Sequence, residues 1–105
     1  MDAKAISKAT LPSRHVTVGP ARAPHRSYLY AMGLSPQEIA QPLVGVATCW
    51  NEAAPCNISL MRQAAVVKKG VAAASGTPRE FCTITVTDGI AMGHQGMKAS
   101  LVSRE

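Results

Sequence analysis

Two short stretches of the chain carry residue types that could bind metal ions. Cys56 follows a proline in "NEAAPCN", and Asp88 lies in "TDGIAMG"; each stretch comes just after a short apolar run. A cysteine thiolate is a soft ligand, whereas a carboxylate is a hard ligand that suits Mg²⁺. In open α/β sheets, ligands bind outside the carboxyl ends of the strands. The two residues therefore predict a soft metal centre beside a hard cation.

The elements that must position these residues read as strand, helix and strand. The apolar run 43–50 favours a strand buried on both faces, and 80–86 favours a second strand. A helical pattern over 57–74 joins them. This order predicts an α/β fold, a partial βαβ-containing domain with parallel strands and a right-handed crossover. Two strands alone do not form a stable sheet, so the domain is expected to be incomplete without further protein.

The predicted helix bears directly on Cys56, which would lie at its N-terminus. Unpaired N–H groups and the helix dipole favour a thiolate there. The residues predicted to share the buried stripe of this helix are Ile58, Met61, Ala65 and Ala72. From spacing alone a second reading stays open, in which Cys56 is a small buried residue and Asp88 belongs to an ordinary turn.

Turn and cap signals predict the other elements. Residues 23–33 form a helix that Gly33 ends, and "SPQE" is a capping box in which Ser35 pairs with Glu38. The stretch 87–97 is predicted to be a glycine-spaced loop, and 98–105 a helix. We expect residues 1–13 to be a flexible N-terminal tail, and 14–105 to be part of one incomplete metal-binding domain.

Composition excludes several classes of function. The net charge is +5, but the eleven Lys and Arg residues are scattered and do not alternate with aromatics, so nucleic-acid binding is poorly supported. No apolar run reaches membrane-spanning length. Three cysteines and no secretory signal argue against a disulfide framework and favour a reducing cytoplasm. Aromatic residues are few, which suggests that other protein completes the core.

Several motifs together resemble one family. "RAPHRSYLYAMGL", "VGVATCWNEAAPCNISL", "TDGIAMGHQGM" and "SLVSRE" closely resemble the N-terminal part of dihydroxy-acid dehydratases, within the wider family of sugar-acid and dihydroxy-acid dehydratases. The resemblance runs from about Ser13 to Glu105. It implies a hydro-lyase of valine and isoleucine biosynthesis that converts 2,3-dihydroxy-3-methyl carboxylates into 2-keto acids. The complete enzyme would be a homodimer that takes a small-molecule dihydroxy acid.

The resemblance also implies cofactors and ligands. They are an iron–sulfur cluster, of the 2Fe–2S or 4Fe–4S type, and Mg²⁺. Cys56 matches a cluster cysteine, and Asp88 matches a magnesium ligand. Cys49 and Cys82 match no ligand position and read as small buried residues. His94 either approaches the substrate or packs the loop, and packing is the favoured reading.

Other parts of the family pattern have no counterpart in these 105 residues. They are two further cluster cysteines, a glutamate magnesium ligand and the serine base, so no catalytic residue is assigned here. We therefore expect the chain to be an N-terminal piece or a truncated product that is inactive alone. The alternatives are a segment of a sugar-acid (aldonate) dehydratase and a truncated, non-catalytic protein that binds a partner. Ser75 stands where the family commonly has glycine, which either strains the helix C-cap or is tolerated.

Overall fold

A computed structural model of the chain describes residues 7–104, except for the side chains at positions 88, 89, 101 and 104. The helices and strands are, in order, α1 (Arg14–Thr17), α2 (Ala23–Ala31), α3 (Pro36–Ala40), β1 (Leu43–Thr48), α4 (Leu60–Ala73), β2 (Thr77–Cys82), α5 (Asp88–Ala91) and α6 (Ala99–Arg104). Within the described residues, β1 and β2 form a two-stranded parallel sheet, and α4 is the crossover between them. The predicted α/β class is confirmed.

The described residues divide into two compact units. The first unit comprises 7–45 and 68–79, and the second comprises 46–67 and 80–104. Both strands and α4 contribute residues to each unit. The two predicted metal ligands, Cys56 and Asp88, both belong to the second unit.

In the first unit, polar groups join the end of α3 to the start of β2. The Ser35 hydroxyl accepts a hydrogen bond from the Glu38 N–H at 3.2 Å, and a Glu38 carboxylate oxygen accepts from the Ser35 N–H at 3.0 Å. The predicted capping box is thus confirmed. Thr77, only 1% exposed, donates its hydroxyl to the Glu38 carbonyl at 2.6 Å. Its N–H donates to the Pro42 carbonyl at 2.8 Å, which places β2 beside β1.

The described segment before α1 belongs to the same unit and is hydrogen-bonded within it. Residues 8–10 form a 3-10 turn, and the Lys8 ammonium donates to the Gln41 carbonyl at 2.9 Å. Partial burial lowers the pKa of Lys8 from its ordinary value. Residues 1–6 of the predicted tail lie outside the described residues, so the flexible tail over 1–13 stays a prediction.

The core of the second unit is built mainly from small side chains. Ala54, Ala64 and Ala91 are 3–7% exposed, and Val46 is 7% exposed. Larger apolar side chains remain at the surface, with Phe81 53% exposed. This agrees with a sequence that is poor in aromatic residues.

The predicted strand boundaries and burial need correction. β1 ends at Thr48 rather than at residue 50, because side chains and not strand backbone occupy the Cys49 carbonyl. It is not buried on both faces either: Val46 and Thr48 are buried while Gly45 and Ala47 are exposed, because the described residues cover one face only. β2 runs from Thr77 to Cys82 instead of over 80–86, since its pairing starts at the Pro42 carbonyl.

The predicted face of the long helix is also wrong. α4 buries Ala64 and half-buries Leu60 and Val71. The residues of the predicted stripe, Ile58, Met61, Ala65 and Ala72, are exposed. Apolar residues occur on every side of this helix, so the apolar pattern did not fix its rotation. The stretch 87–97 is not a plain loop, because it contains α5 and a 3-10 turn over Gln95–Lys98.

No described helix combines the length and the apolar character needed to cross a bilayer.

Candidate metal-binding loops

The carbonyl oxygen of Cys49 joins the two loops that carry the predicted ligands. Cys49 is the first residue after β1. Its carbonyl accepts a hydrogen bond from the Asn57 amide at 2.7 Å and a second from the Thr85 hydroxyl at 2.8 Å. Asn57 follows Cys56 directly, and Thr85 lies three residues before Asp88. The backbone segments that bear the two predicted ligands are therefore tied to one atom.

Cys56 itself lies in a turn. α4 starts at Leu60, so the prediction that Cys56 sits at a helix N-terminus is wrong. The Asn57 N–H donates to the Ala54 carbonyl at 3.1 Å, and the Leu60 N–H donates to the Asn57 carbonyl at 3.2 Å. The Asn57 side chain reaches back to β1, so the chain makes a turn here before the helix begins.

The Cys56 thiol differs from the other two thiols in its surroundings. Its residue is exposed, and none of the hydrogen bonds found among the described residues involves its sulfur. A thiol in such a position is accessible to an external metal or cluster.

The Cys49 thiol is engaged in a hydrogen bond, unlike the Cys56 thiol. Its sulfur lies 3.0 Å from the Thr83 hydroxyl oxygen, and that hydroxyl also donates to the Thr48 carbonyl at 3.2 Å. A hydroxyl has one proton and a carbonyl can only accept, so the Cys49 S–H must donate to Thr83. Metals bind the thiolate, not the thiol.

Cys82 is the last residue of β2. Its sulfur lies 3.7 Å from the Thr48 hydroxyl oxygen. Cys82 is exposed and Cys49 half-buried, so the prediction that both are buried is wrong. The described sheet has only two strands, so Cys49 and Cys82 are not fully covered by neighbouring elements. In the part of the chain that the structure describes, no three His, Cys, Asp or Glu side chains come together to hold a metal ion.

Asp88 is the first residue of α5, and its side chain lies outside the described residues. The residue before it carries an informative oxygen. The Thr87 hydroxyl is buried and has no hydrogen-bond partner among the described residues. Buried polar atoms are rarely left unpaired, so an unpaired one beside a predicted ligand indicates a missing partner.

His94 packs the loop that follows α5. Its Nδ1 accepts from the Gly96 N–H at 2.9 Å, so Nε2 must carry the proton that it shares with the Ile90 carbonyl at 2.9 Å. Both ring nitrogens are used inside the loop, which confirms the loop-packing reading. Gly93 has a φ of 82°, a conformation that favours glycine.

Sequence reasoning missed three polar residues of these loops: Asn57, Thr83 and Thr85. Their only signal is position, because each stands one to three residues from a singled-out residue or from the end of a strand. Side-chain bonds to the carbonyls at the end of β1 cannot be read from residue type alone.

Comparisons with known proteins agree with the motifs. Residues 41–105 match the family described as dihydroxy-acid/6-phosphogluconate dehydratase, N-terminal. The chain is similar to dihydroxy-acid dehydratase 2 of Mesorhizobium japonicum, with 92% identity over all 105 residues, and to dihydroxy-acid dehydratase of Parvibaculum lavamentivorans, with 81% identity over the same length. A dihydroxy-acid dehydratase of Sulfurisphaera tokodaii is 58% identical over 87 residues, or 83% of the chain.

These relatives are much longer than the chain. It spans 18% of the length of the first two relatives and 16% of the third. Because the family match covers more than half of the chain and includes both candidate ligand positions, the chain belongs to the dihydroxy-acid/6-phosphogluconate dehydratase family, in its N-terminal region.

Proposed function

We propose that this chain supplies one cysteine and one carboxylate to the active site of a dihydroxy-acid dehydratase. The observation that carries the proposal is the Cys49 carbonyl, which ties the loop of Cys56 to the segment that leads to Asp88. In an enzyme with two metal centres, the residues that bind them must be held in a fixed relation. A shared hydrogen-bond acceptor is a simple way to provide it.

The thiol of Cys56 fits one ligand of an iron–sulfur cluster. It is exposed and has no hydrogen bond among the described residues, whereas the Cys49 sulfur is hydrogen-bonded with the Thr83 hydroxyl. Clusters are held by several cysteine thiolates, so the other ligands would come from further protein. The chain would therefore provide one of the several cysteine ligands of the cluster.

The Thr87–Asp88 segment fits a hard cation such as Mg²⁺. Carboxylate and other oxygen atoms are the ligands that Mg²⁺ prefers, and it usually keeps several bound waters. The Thr87 hydroxyl, which is buried and has no partner among the described residues, is an oxygen of the required kind, able to accept from such a water. The carboxylate of Asp88 would be the direct ligand.

The reaction proposed is loss of water from a 2,3-dihydroxy-3-methyl carboxylate, which gives a 2-keto acid after tautomerisation. When bound, the cluster and Mg²⁺ supply Lewis-acid assistance to the departing hydroxyl and stabilise the charge that develops on the substrate. The chain's own contribution is to hold a thiolate and a carboxylate and to fix their loops. A Cβ at Gly93 would meet nothing within 4 Å, so the backbone there leaves open space.

The complete enzyme is proposed to act on a small-molecule dihydroxy acid as a cytoplasmic homodimer of branched-chain amino-acid synthesis. A sugar-acid substrate is the nearest alternative, since the family description also includes 6-phosphogluconate dehydratases. A non-catalytic, partner-binding role is the second candidate. It is favoured by the large apolar side chains at the surface, such as Tyr28 and Ile84, which are 76% and 72% exposed.

The test uses the protein expressed from its full reading frame, read past the codon for Glu105. We expect Cys56→Ser to lose cluster iron, and Asp88→Asn to raise the Mg²⁺ concentration needed for half-maximal turnover. The matched controls Cys49→Ser and Cys82→Ser should keep their iron. Release of keto acid from 2,3-dihydroxy-3-methylbutanoate but not from gluconate separates the two substrate classes.

Three outcomes would contradict the proposal. One is full iron content in Cys56→Ser. Another is a preference for gluconate, which would favour the sugar-acid alternative. A stop codon directly after Glu105, together with recovery of the chain in a complex, would favour the partner-binding role.

A further inference from the structure

The Cys49 carbonyl stands out because it accepts two side-chain donors and lies just beyond the last residue of β1. Inside a parallel pair, only alternate carbonyls of a strand bind backbone N–H groups of the partner strand, because successive carbonyls point in opposite directions. Here the neighbouring Thr48 carbonyl still accepts from the Thr83 N–H, at 2.6 Å, but the next carbonyl is left to side chains. Asn57 and Thr85 fill both of its acceptor positions.

The two donors come from different stretches of the second unit. Asn57 belongs to the turn that precedes α4, and Thr85 belongs to the extended segment between β2 and α5. Both residues are half-buried. Neither is a predicted ligand, yet each is one to three residues from one.

We propose that Asn57 and Thr85 are positioning residues that use the Cys49 carbonyl as a shared anchor to hold the Cys56 turn and the Asp88 segment in a fixed relation. The metal-related part of this proposal rests on the proposed function, whereas the anchor itself does not. The anchor links the segments through a single atom, so motion of one donor is transmitted to the other.

The first experiment is hydrogen exchange on the protein expressed from its full reading frame, and its readout does not depend on metal. Thr85→Val removes the donor while keeping the shape of the side chain. We expect the exchange rates of the Asn57 and Leu60 amides, which are bonded within the Cys56 turn, to rise about three- to tenfold, as for loss of one hydrogen bond. Asn57→Leu should raise exchange at the Ile90 and Ala91 amides, which are bonded to the Thr87 carbonyl.

Matched controls separate the anchor from general weakening. Thr85→Ser keeps the hydroxyl and should restore slow exchange. Thr83→Val removes a hydroxyl that binds the Thr48 carbonyl and the Cys49 thiol but not the Cys49 carbonyl, so exchange in the Cys56 turn should stay slow. The reference is the Ala74 amide, which donates to the Gly70 carbonyl in the first unit. Global unfolding would also accelerate hydrogen exchange at this amide.

The double variant gives the sharpest result. With one donor removed the carbonyl keeps the other, but with both removed it is left unpaired. The rise in exchange should therefore exceed the product of the two single effects. If amide exchange, measured relative to the Ala74 amide, becomes faster only in the segment that carries the substitution, the proposal of a shared anchor is wrong.

The second experiment tests positioning in the protein expressed from its full reading frame. Thr85→Val should raise the Mg²⁺ concentration for half-maximal turnover and lower the iron content, each by about threefold or more, and Thr85→Ser should restore both. Coupled exchange with unchanged metal binding would overturn the positioning role. Full iron in Cys56→Ser would instead contradict the proposed function and leave the exchange result standing.

Discussion

At Gly96, the space that a side chain would need is already taken by the ring of His94. A Cβ placed on Gly96 would lie 2.6 Å from His94 Cε1 and 3.1 Å from Nδ1. The ring cannot turn away freely, because both of its nitrogens are hydrogen-bonded within the loop. Glycine at this position is therefore a packing requirement and not a question of backbone angle.

We predict that Gly96→Ala lowers the free energy of unfolding by about 1–3 kcal/mol, as expected for an overpacked contact. Chemical denaturation of the chain measures it. The matched control is Gly70→Ala in α4, where a new Cβ meets nothing within 4 Å. Alanine should stabilise that helix by about 0.5–1 kcal/mol. Equal effects of the two substitutions would contradict this account.

Helices α2 and α4 end with the same hydrogen-bond pattern but with different residues at the critical position. In α2, the Gly33 N–H donates to Tyr30 and the Leu34 N–H donates to Leu29. In α4 the corresponding bonds run from Ser75 to Ala72 and from Gly76 to Val71. Each is a Schellman motif, whose turning residue must adopt a positive φ. Gly33 has a φ of 91°, and Ser75 has a φ of 67°.

The comparison predicts opposite effects at the two helix ends. The left-handed conformation costs a non-glycine residue about 1–2 kcal/mol, and the greater chain entropy of glycine offsets part of that. We therefore expect Ser75→Gly to raise the free energy of unfolding by about 0.5–1 kcal/mol, and Gly33→Ser to lower it by a similar amount. Urea unfolding checks both, and Ser75→Ala should give no gain because it keeps the strained backbone.

The capping box of α3 makes stability depend on pH. The Ser35 N–H and hydroxyl, which are hydrogen-bonded with Glu38, hold the pKa of that carboxyl below its ordinary value. A carboxyl whose pKa is depressed by folding contributes stability that is present above the unfolded pKa, and the contribution is lost as the pH falls through the folded pKa. Urea midpoints measured from pH 7 down to pH 3 should show this loss.

Glu38→Gln is the variant that isolates this titration. Its side-chain carbonyl can still accept from the Ser35 N–H, but it does not ionise. The loss of stability in acid should be smaller than in the unsubstituted chain. Ser35→Ala should cost about 1 kcal/mol at neutral pH, since it removes the N-cap oxygen. An identical pH dependence for Glu38→Gln and the unsubstituted chain would contradict the assignment.

Signals that act within one turn of chain were predicted correctly from the sequence. The rotation of α4 about its axis and the bounds of the two strands were not. Ser35, Glu38 and Gly33 act within one turn of chain, so their residue types determine what they do. The buried face of α4 could not be read in this way, because Ala64 and Ala65 are equally suited to the interior. The turn at Cys56 also depended on distant partners: Asn57 binds the Cys49 carbonyl instead of opening the helix.

For the whole molecule, exposed apolar side chains are the dominant feature. Met92 and Val66 are 72% and 69% exposed, and Phe81 is 53% exposed on β2. Among the described residues of the second unit, three of the six buried ones are alanines. Large apolar side chains at a surface are typical of regions that other protein covers. The chain thus agrees with a domain that is completed by further polypeptide.

We predict that the purified 105-residue chain releases no keto acid from 2,3-dihydroxy-3-methylbutanoate. Clusters are held by several cysteine thiolates, and among the described residues no three ligand side chains come together. A coupled assay for the keto acid measures this, with a complete dihydroxy-acid dehydratase as the positive control. Turnover that survives repeated purification would contradict the prediction.

The parallel arrangement of β1 and β2 has a consequence during synthesis on the ribosome. Thr48 and Cys82 are 34 residues apart, so β1 cannot pair until α4 and β2 have been made. At about 5–20 residues per second, β1 waits about two to seven seconds with both edges open. The conformational entropy lost on closing this long crossover must be overcome before contacts between the strands can stabilise the fold. For that interval the nascent strand is a candidate for chaperone binding.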